Sequence, residues 1–166
     1  MGPFGWLHSS RAKLLRVYDG DSIWVHFDLG HSIKVEDAAV RLYGIDTPEV
    51  RPRLGSDAEK AAEKVAGYEA RDRLNALLAA RDPEHGLVVQ TVKKKGKKLR
   101  DKYGRVLGKL WVVIDGYEVM INDVLLKECH ARPYFGKRKD PWSILRVPGL
   151  DDIDPQQAAR LSGHQT

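Results

Sequence analysis

The residues of this chain that could do chemistry gather at the ends of apolar runs. "YGIDTPEVR", Tyr43 to Arg51, sets Asp46, Thr47 and Glu49 in one tight step straight after "VRLYGI". "YDGDS" sets Asp19 and Asp21 on either side of Gly20. Part of this is turn chemistry. Asp and Gly are what a hairpin turn selects, and Asp19 needs no other explanation. A residue before proline is pushed to an extended conformation, which accounts for the bend at Thr47-Pro48. Two residues stay unexplained. Asp21 stands at the start of a strand, where Asp is depleted, and Glu49 has no part in the bend. Two strand ends that each offer a carboxylate can build a hard-oxygen site, suited to Ca²⁺ or Mg²⁺. The His and Cys set that zinc prefers is missing. The histidines are scattered, and none reads as a ligand or base.

Two arginines complete the pattern. Arg41 sits on the apolar strand that leads into the loop, an even step from Tyr43 and Ile45. Arg105 follows the turn-like "DKYG". An arginine inside an apolar strand needs a partner, because an unpaired buried charge is costly. An ion pair with Asp or Glu would satisfy it. So would a phosphate gripped by the planar guanidinium fork. Both can hold in turn.

The elements that must position these groups are legible. "AKLLRVYDGDSIWVHFDLG" carries β-favouring residues on both sides of the Asp19-Gly20 turn, a hairpin signal. "SIKVEDAAVRLYGI" predicts a third strand, broken or bulged near Glu36-Ala38. "SDAEKAAEKVAGYEARDRLNALLAARD" predicts a helix. Ser56 and Glu59 form a capping-box pattern at its start, and Pro83 follows its end. Val65, Leu74, Leu77 and Leu78 would supply an apolar face, with Gly67 loosening the middle. "GLVVQTVKKK" and "YGRVLGKLWVVIDGYEVM" read as strands, the second turning at Asp115-Gly116. "INDVLLKECHA" predicts a short helix with Asn122 near its start and Cys129 as a small core residue. "DPQQAARL" predicts a last helix, capped by Asp154 with Pro155 at its first position. Three strands, a helix, two strands, a helix and a tail is the order of a small β-barrel with an inserted helix, the OB-fold among them. The expected class is α+β, mainly β.

At 166 residues the chain fits one domain with its own core. The expected core runs from about 12 to 135, with a divergent tail over 136–166. No stretch approaches the roughly 20 apolar residues that span a bilayer, and "MGPFGWLHSSRAKLL" lacks the pattern of a secretory signal. An intracellular protein is therefore expected, with a virus or mobile element as one possible source. A single cysteine excludes an intrachain disulfide and a thiolate cluster. The net charge of +5 is a mild invitation to polyanions. It is densest in "KKKGKKLRDKYGR", with a second cluster in "FGKRKDPW".

"DGDS", "RLYGIDTPE" and "DKYGR" stand here in the order and context of the staphylococcal nuclease (thermonuclease) family. "GYEAR" on the long helix and "MINDVLL" at the second helix match it as well. The resemblance spans roughly Leu14 to Tyr134, most of the chain. Each motif alone is weak; three in order, with a helix between the second and third, are specific.

This resemblance implies a five-stranded OB barrel with about three helices. It implies Ca²⁺-dependent hydrolysis of DNA or RNA phosphodiesters to 3′-phosphate ends with little sequence preference. Single strands are the expected substrate form and a monomer the expected state. Carried over by motif, Asp21, Asp46 and Thr47 are the expected calcium ligands, Thr47 through its backbone carbonyl. Arg41 and Arg105 are the expected phosphate clamps, and Glu49 orients or deprotonates the attacking water. Lys102 and Tyr103 match positions that contact a neighbouring phosphate. Tyr103 and Tyr134 are the candidate stacking surfaces, although a one-residue shift would put Phe135 in place of Tyr134. Oxygen ligands leave Mg²⁺ or Mn²⁺ open as alternatives. The rival from another class is a catalytically silent OB module that binds nucleic acid or a protein; such domains typically lose the carboxylate and arginine set, which this chain keeps. Three departures stand out. Ser22 replaces the usual Thr. "DLGHSIKVEDAA" is longer than the family's turn, so it extends a hairpin, alters access or serves a partner. "KKKGKKLR" is lysine-rich, either a solvated loop or a phosphate-tracking patch.

Overall fold

The computed structural model describes residues 8–93, 100–140 and 142. Most of the lysine-rich run (94–99) and the helix expected over 154–161 lie outside the described residues. The first hairpin pairs β1 (Ser9–Asp19) with β2 (Ser22–Asp28) across the Asp19-Gly20 turn. β2 pairs in turn with β3 (Lys34–Leu42), so the long "DLGHSIKVEDAA" segment does extend a hairpin. The break expected near Glu36-Ala38 is a bulge. The β2–β3 register shifts between Val25 and Phe27, and Asp37 takes a positive φ of 50°.

Closure comes from two later strands, β5 (Leu87–Thr91) and β6 (Val106–Ile114). β5 joins β1 and β6, and β6 runs parallel to β3 through Val40↔Val106 and Arg41↔Leu107. The circuit β1-β2-β3-β6-β5 is a closed five-stranded barrel, which leaves no edge on those strands. Alternation along β6 buries Val106, Gly108, Leu110 and Val112 inside it. β7 (Tyr117–Met120) extends the sheet beyond β6 after the Asp115-Gly116 turn. A second small sheet pairs β4 (Ile45–Asp46) with β8 (Arg132–Pro133), and it is this pairing that brings the later chain to Asp46. With two helices among the described residues, α1 (Asp57–Ala79) and α2 (Ile121–Lys127), the fold is α+β and of the OB type.

The capping box at the start of α1 is formed in both directions. Ser56 Oγ accepts from the Glu59 amide at 3.3 Å, and the Ser56 amide donates to Glu59 Oε2 at 2.7 Å. Leu74, Leu77 and Leu78 are buried as expected, but Val65 is 61% exposed. The reason is local. The middle of α1 presses on the Glu49 loop and on the Gly20 turn, where only small residues fit, and its buried positions there are Gly67 and Ala70. A Cβ on Gly67 would stand 2.7 Å from the Glu49 carbonyl and 2.8 Å from the Val50 amide nitrogen. Gly67 therefore does not loosen the helix; it lets the helix press directly on the loop that carries Glu49. Cys129 is also not a core residue. It is exposed and follows α2 in a left-handed conformation, φ 60°, which turns it off the helix face. Asn122, at the start of α2, is a buried pin. Its Oδ1 accepts from the Leu110 amide at 2.9 Å, and its Nδ2 donates to the Tyr43 carbonyl at 2.9 Å.

The Gly67 contact gives a stability prediction. Helix propensity alone favours Ala over Gly by about 1 kcal/mol. Overpacking against backbone typically costs about 1–3 kcal/mol. We expect Gly67→Ala to lower stability in urea denaturation; a variant as stable as the parent would mean that the Glu49 loop yields freely.

Candidate active site

The carboxylates meet because three segments close on Gly20. A Cβ at that position would lie 2.8 Å from Ala70 Cβ and 2.9 Å from Thr47 Cγ2. The hairpin turn, the Thr47 loop and α1 thus touch at a residue without a side chain. Across the β2–β3 ladder Ser22 faces Arg41, one residue from Asp21. The β2–β3 pairing therefore delivers the guanidinium to the carboxylate.

Arg41 is the centre of the resulting cluster. Its Nη1 donates to Asp21 Oδ1 at 2.9 Å, and its Nη2 lies 2.8 Å from Asp21 Oδ2 and 3.1 Å from Asp46 Oδ1. The fork grips Asp21 with two nitrogens and reaches Asp46 with one. Asp21 also accepts from the Thr47 amide at 3.0 Å and from Ser22 Oγ at 3.1 Å. Asp21, Arg41, Asp46 and Thr47 are all buried, Asp46 completely. Burial works against the charge of Arg41, but Asp21 and Asp46 outweigh it and hold its pKa above the usual value.

Asp46 has two further cations. Arg132 Nε donates to its Oδ2 at 3.0 Å, and Lys139 Nζ lies 2.6 Å from its Oδ1. The same ammonium donates to Glu49 Oε1 at 2.8 Å. Burial opposes the charge on Lys139, and the hydrogen bonds to Asp46 and Glu49 outweigh it and raise its pKa. The Glu49 amide donates to Glu63 Oε1 at 3.1 Å. Glu63 is pushed up first by burial and then by the charges of Glu49 and Asp46, against the help of that amide. Lys139, Arg132 and Glu63 carry no signal in the motifs. "FGKRKDPW" marks a basic cluster without saying where it docks.

Asp19 is more than a turn residue. It accepts from the Asp21 amide at 3.2 Å, as the turn requires. It is also buried, and burial, then the charge of Asp21, raises its pKa to about 7.

Asp21, Arg41, Asp46, Thr47 and Glu49 thus come together. Lys102, Tyr103 and Arg105 form a separate group on the turn before β6. Arg105 Nε donates to Asp101 Oδ2 at 2.8 Å, and its guanidinium lies 5.4 Å from the Tyr103 ring centre. Lys102 Nζ lies 4.9 Å from that ring, which is 70% exposed. Among the described residues no hydrogen bond or ion pair joins this group to the acidic cluster. Tyr134 lies beside the cluster, its ring centre 6.0 Å from the Arg41 guanidinium and 5.9 Å from Lys139 Nζ. Phe135 instead packs edge-on against Tyr43, at 5.9 Å.

The donor chemistry suits a hard divalent cation, since carboxylate oxygens are what such an ion takes. Among the described residues no three acidic, histidine or cysteine side chains already stand in a metal-holding arrangement. Their oxygens receive Arg41, Arg132 and Lys139 instead. An ammonium between Asp46 and Glu49 is a cation in the place where these carboxylates converge. On that observation the residues fit a divalent ion that takes its place.

The Asp19 shift sets a pH dependence. In the folded chain it titrates near 7, against an ordinary 3.8. Between those values the folded state keeps a proton that the unfolded state has released, so stability falls as pH rises across the window. We expect denaturation in EDTA to show this decline from about pH 4 to pH 7, and Asp19→Asn to flatten it. An equal slope in the variant would remove Asp19 as the source.

Part of this site lies within the stretch where known proteins resemble this one. The family model described as staphylococcal nuclease homologue matches residues 39–144, which contain Arg41, Asp46, Thr47, Glu49 and Arg105. A thermonuclease from Staphylococcus intermedius is 33% identical over 132 residues, covering 78% of this chain and 63% of that one. The chain thus spans somewhat less than two thirds of that relative's length. With an OB barrel that sets the acidic loop against Arg41, and a family match over most of its length, the chain belongs to the family of staphylococcal nuclease homologues.

Proposed function

We propose that this chain is a calcium-dependent nuclease that hydrolyses phosphodiester bonds of DNA or RNA to 3′-phosphate ends. The observation that carries the reading is the Arg41 fork held between Asp21 and Asp46, with the Glu49 carboxylate on the same loop. A guanidinium so placed can exchange a carboxylate for a phosphate oxygen without losing its hydrogen bonds. Asp21, Asp46 and the Thr47 carbonyl would hold the calcium ion, which supplies Lewis-acid charge to the phosphoryl group when bound.

The chain's own residues do the rest. Glu49 accepts a hydrogen bond from the attacking water and takes its proton as the new P–O bond forms. Arg41 stabilises the charge that gathers on the phosphoryl oxygens, more in the transition state than in the ground state. The bond to the 5′ oxygen breaks, Arg105 stabilises the departing oxygen by charge and hydrogen bond, and solvent water supplies the proton that oxygen takes up. For this Arg105 must part from Asp101. Tyr103 and Tyr134 offer faces on which bases stack, worth about 1–3 kcal/mol per base with little sequence preference. Arg51, Lys60 and Lys64 line a groove together with Tyr68. Lys60, Lys64 and Tyr68 stand at successive i, i+4 positions of α1, so they share one face. A single strand could track along it.

The test is cleavage of single-stranded DNA, duplex DNA and RNA with Ca²⁺, with Mg²⁺ and with EDTA. We expect calcium-dependent degradation that EDTA and Asp46→Ala both abolish. Glu49→Gln should keep strand binding and lose about 10²–10³ in rate, as loss of a transition-state contact commonly does. Intact substrate under every condition, with salt-sensitive binding, would leave a silent binding module. The groove has its own check. Each phosphate contact removed should lower the salt slope of single-strand affinity by about 0.7, so Lys60→Gln with Lys64→Gln should flatten it by about twice that. An unchanged slope would take the strand off this face.

A further inference from the structure

The segment after β8 folds back over the acidic cluster. β8 is anchored to β4 by Asp46↔Arg132 and Ile45↔Pro133, and the Tyr134 amide donates to the Gly44 carbonyl at 2.9 Å. Two internal bonds then shape the return. Tyr134 Oη donates to the Lys137 carbonyl at 2.7 Å, and Arg132 Nη2 donates to the Asp140 carbonyl at 2.7 Å. The turn so formed delivers Lys139 to Asp46 Oδ1 and Glu49 Oε1. Trp142 follows in the same segment and is half-buried, its ring centre 4.2 Å from the Arg132 guanidinium.

Arg132 and Lys139 have different roles in this strap. Arg132 belongs to the β4–β8 ladder, and its side chain is 15% exposed. Lys139 reaches in on a flexible four-carbon stem from beyond the ladder, and its side chain is 33% exposed. It can leave to water without breaking a strand pair. It also touches one expected metal ligand, Asp46, and the expected water-orienting residue, Glu49.

We propose that Lys139 is a tethered cation that neutralises the Asp46–Glu49 pair in the cation-free protein, and that a divalent ion binds there by exchange, releasing Lys139 and the strap around it. This rests on the calcium reading of the site. The ammonium balances two carboxylates that would otherwise repel across the loop. A divalent ion supplies more charge to the same oxygens and removes the reason for the strap to stay. The apparent affinity for the ion is then reduced by the fraction of molecules whose Lys139 is already out. Cation binding and strap position become linked, so each favours the other reciprocally.

The test is calorimetric titration of the full chain with Ca²⁺ at fixed ionic strength, for the parent, Lys139→Met and Lys137→Met. Lys137 makes no side-chain bond to the cluster, so its variant controls for net charge. We expect Lys139→Met to bind Ca²⁺ about tenfold more tightly than the parent, and Lys137→Met to stay within about twofold of it. A second readout needs no variant at Lys139. Acrylamide quenching of Trp142, isolated by subtracting Trp142→Phe, should rise on Ca²⁺ saturation of the parent. Equal or weaker binding by Lys139→Met, or unchanged quenching at saturation, would overturn the exchange while leaving the calcium reading standing. No Ca²⁺ binding by either protein would overturn both.

Discussion

The buried guanidinium of Arg41 is the interaction on which the rest depends. A charge removed from water must be paired with good geometry, and its partners must be paired as well. Arg41 meets that demand with Asp21 from the first hairpin and Asp46 from β4. Asp21 is completed by the Thr47 amide and Ser22, and Asp46 by Arg132 and Lys139. These partners come from three segments: Asp21 and Ser22 from the first hairpin, Asp46 and Thr47 from the chain after β3, and Arg132 and Lys139 from β8 and the chain beyond it. The first hairpin therefore has to pair with β3, the loop to bend and the later chain to fold back before the charge is satisfied.

That demand explains several details that have no catalytic content of their own. The parallel pairing of β3 with β6 fixes Arg41 in register. Asn122 ties the end of β3 to β6 through the Tyr43 carbonyl and the Leu110 amide. Gly20 and Gly67 remove the two Cβ atoms that would hold α1 away from the turn and from the Glu49 loop. The middle of α1 is consequently poor in large apolar residues, and the helix packs there by close approach rather than by burying area.

The cluster is also a balance between like and opposite charge. Asp19, Asp21, Asp46, Glu49 and Glu63 crowd one end of the barrel, and two of them respond by holding protons more firmly than usual. Arg41 and Arg132 sit on the buried side and Lys139 on the side nearer water. In the nuclease reading this gradient is useful. The buried cations keep the scaffold intact, while the outer position can change its occupant.

What was legible in the sequence was what neighbours along the chain decide. The capping box of Ser56 and Glu59 lies within one helical turn, the β6 alternation has a period of two, and the Asp19-Gly20 and Asp115-Gly116 turns close on themselves. The motifs around Asp21, Arg41 and Asp46 were legible too, because their residue types are wrong for the strands and turns that hold them. Val65, Gly67 and Cys129 were misread because helical position alone does not say which face a helix turns to the loop or where it ends. Lys139 was invisible for a stronger reason. It lies 90 residues from Glu49 and Arg132 lies 86 from Asp46, so no local spacing relates them. Only the β4–β8 pairing and the turn behind it bring those charges together. The sequence by itself determined which groups would need partners; the tertiary structure decided which partners they have, because a buried charge is satisfied through space and not along the chain.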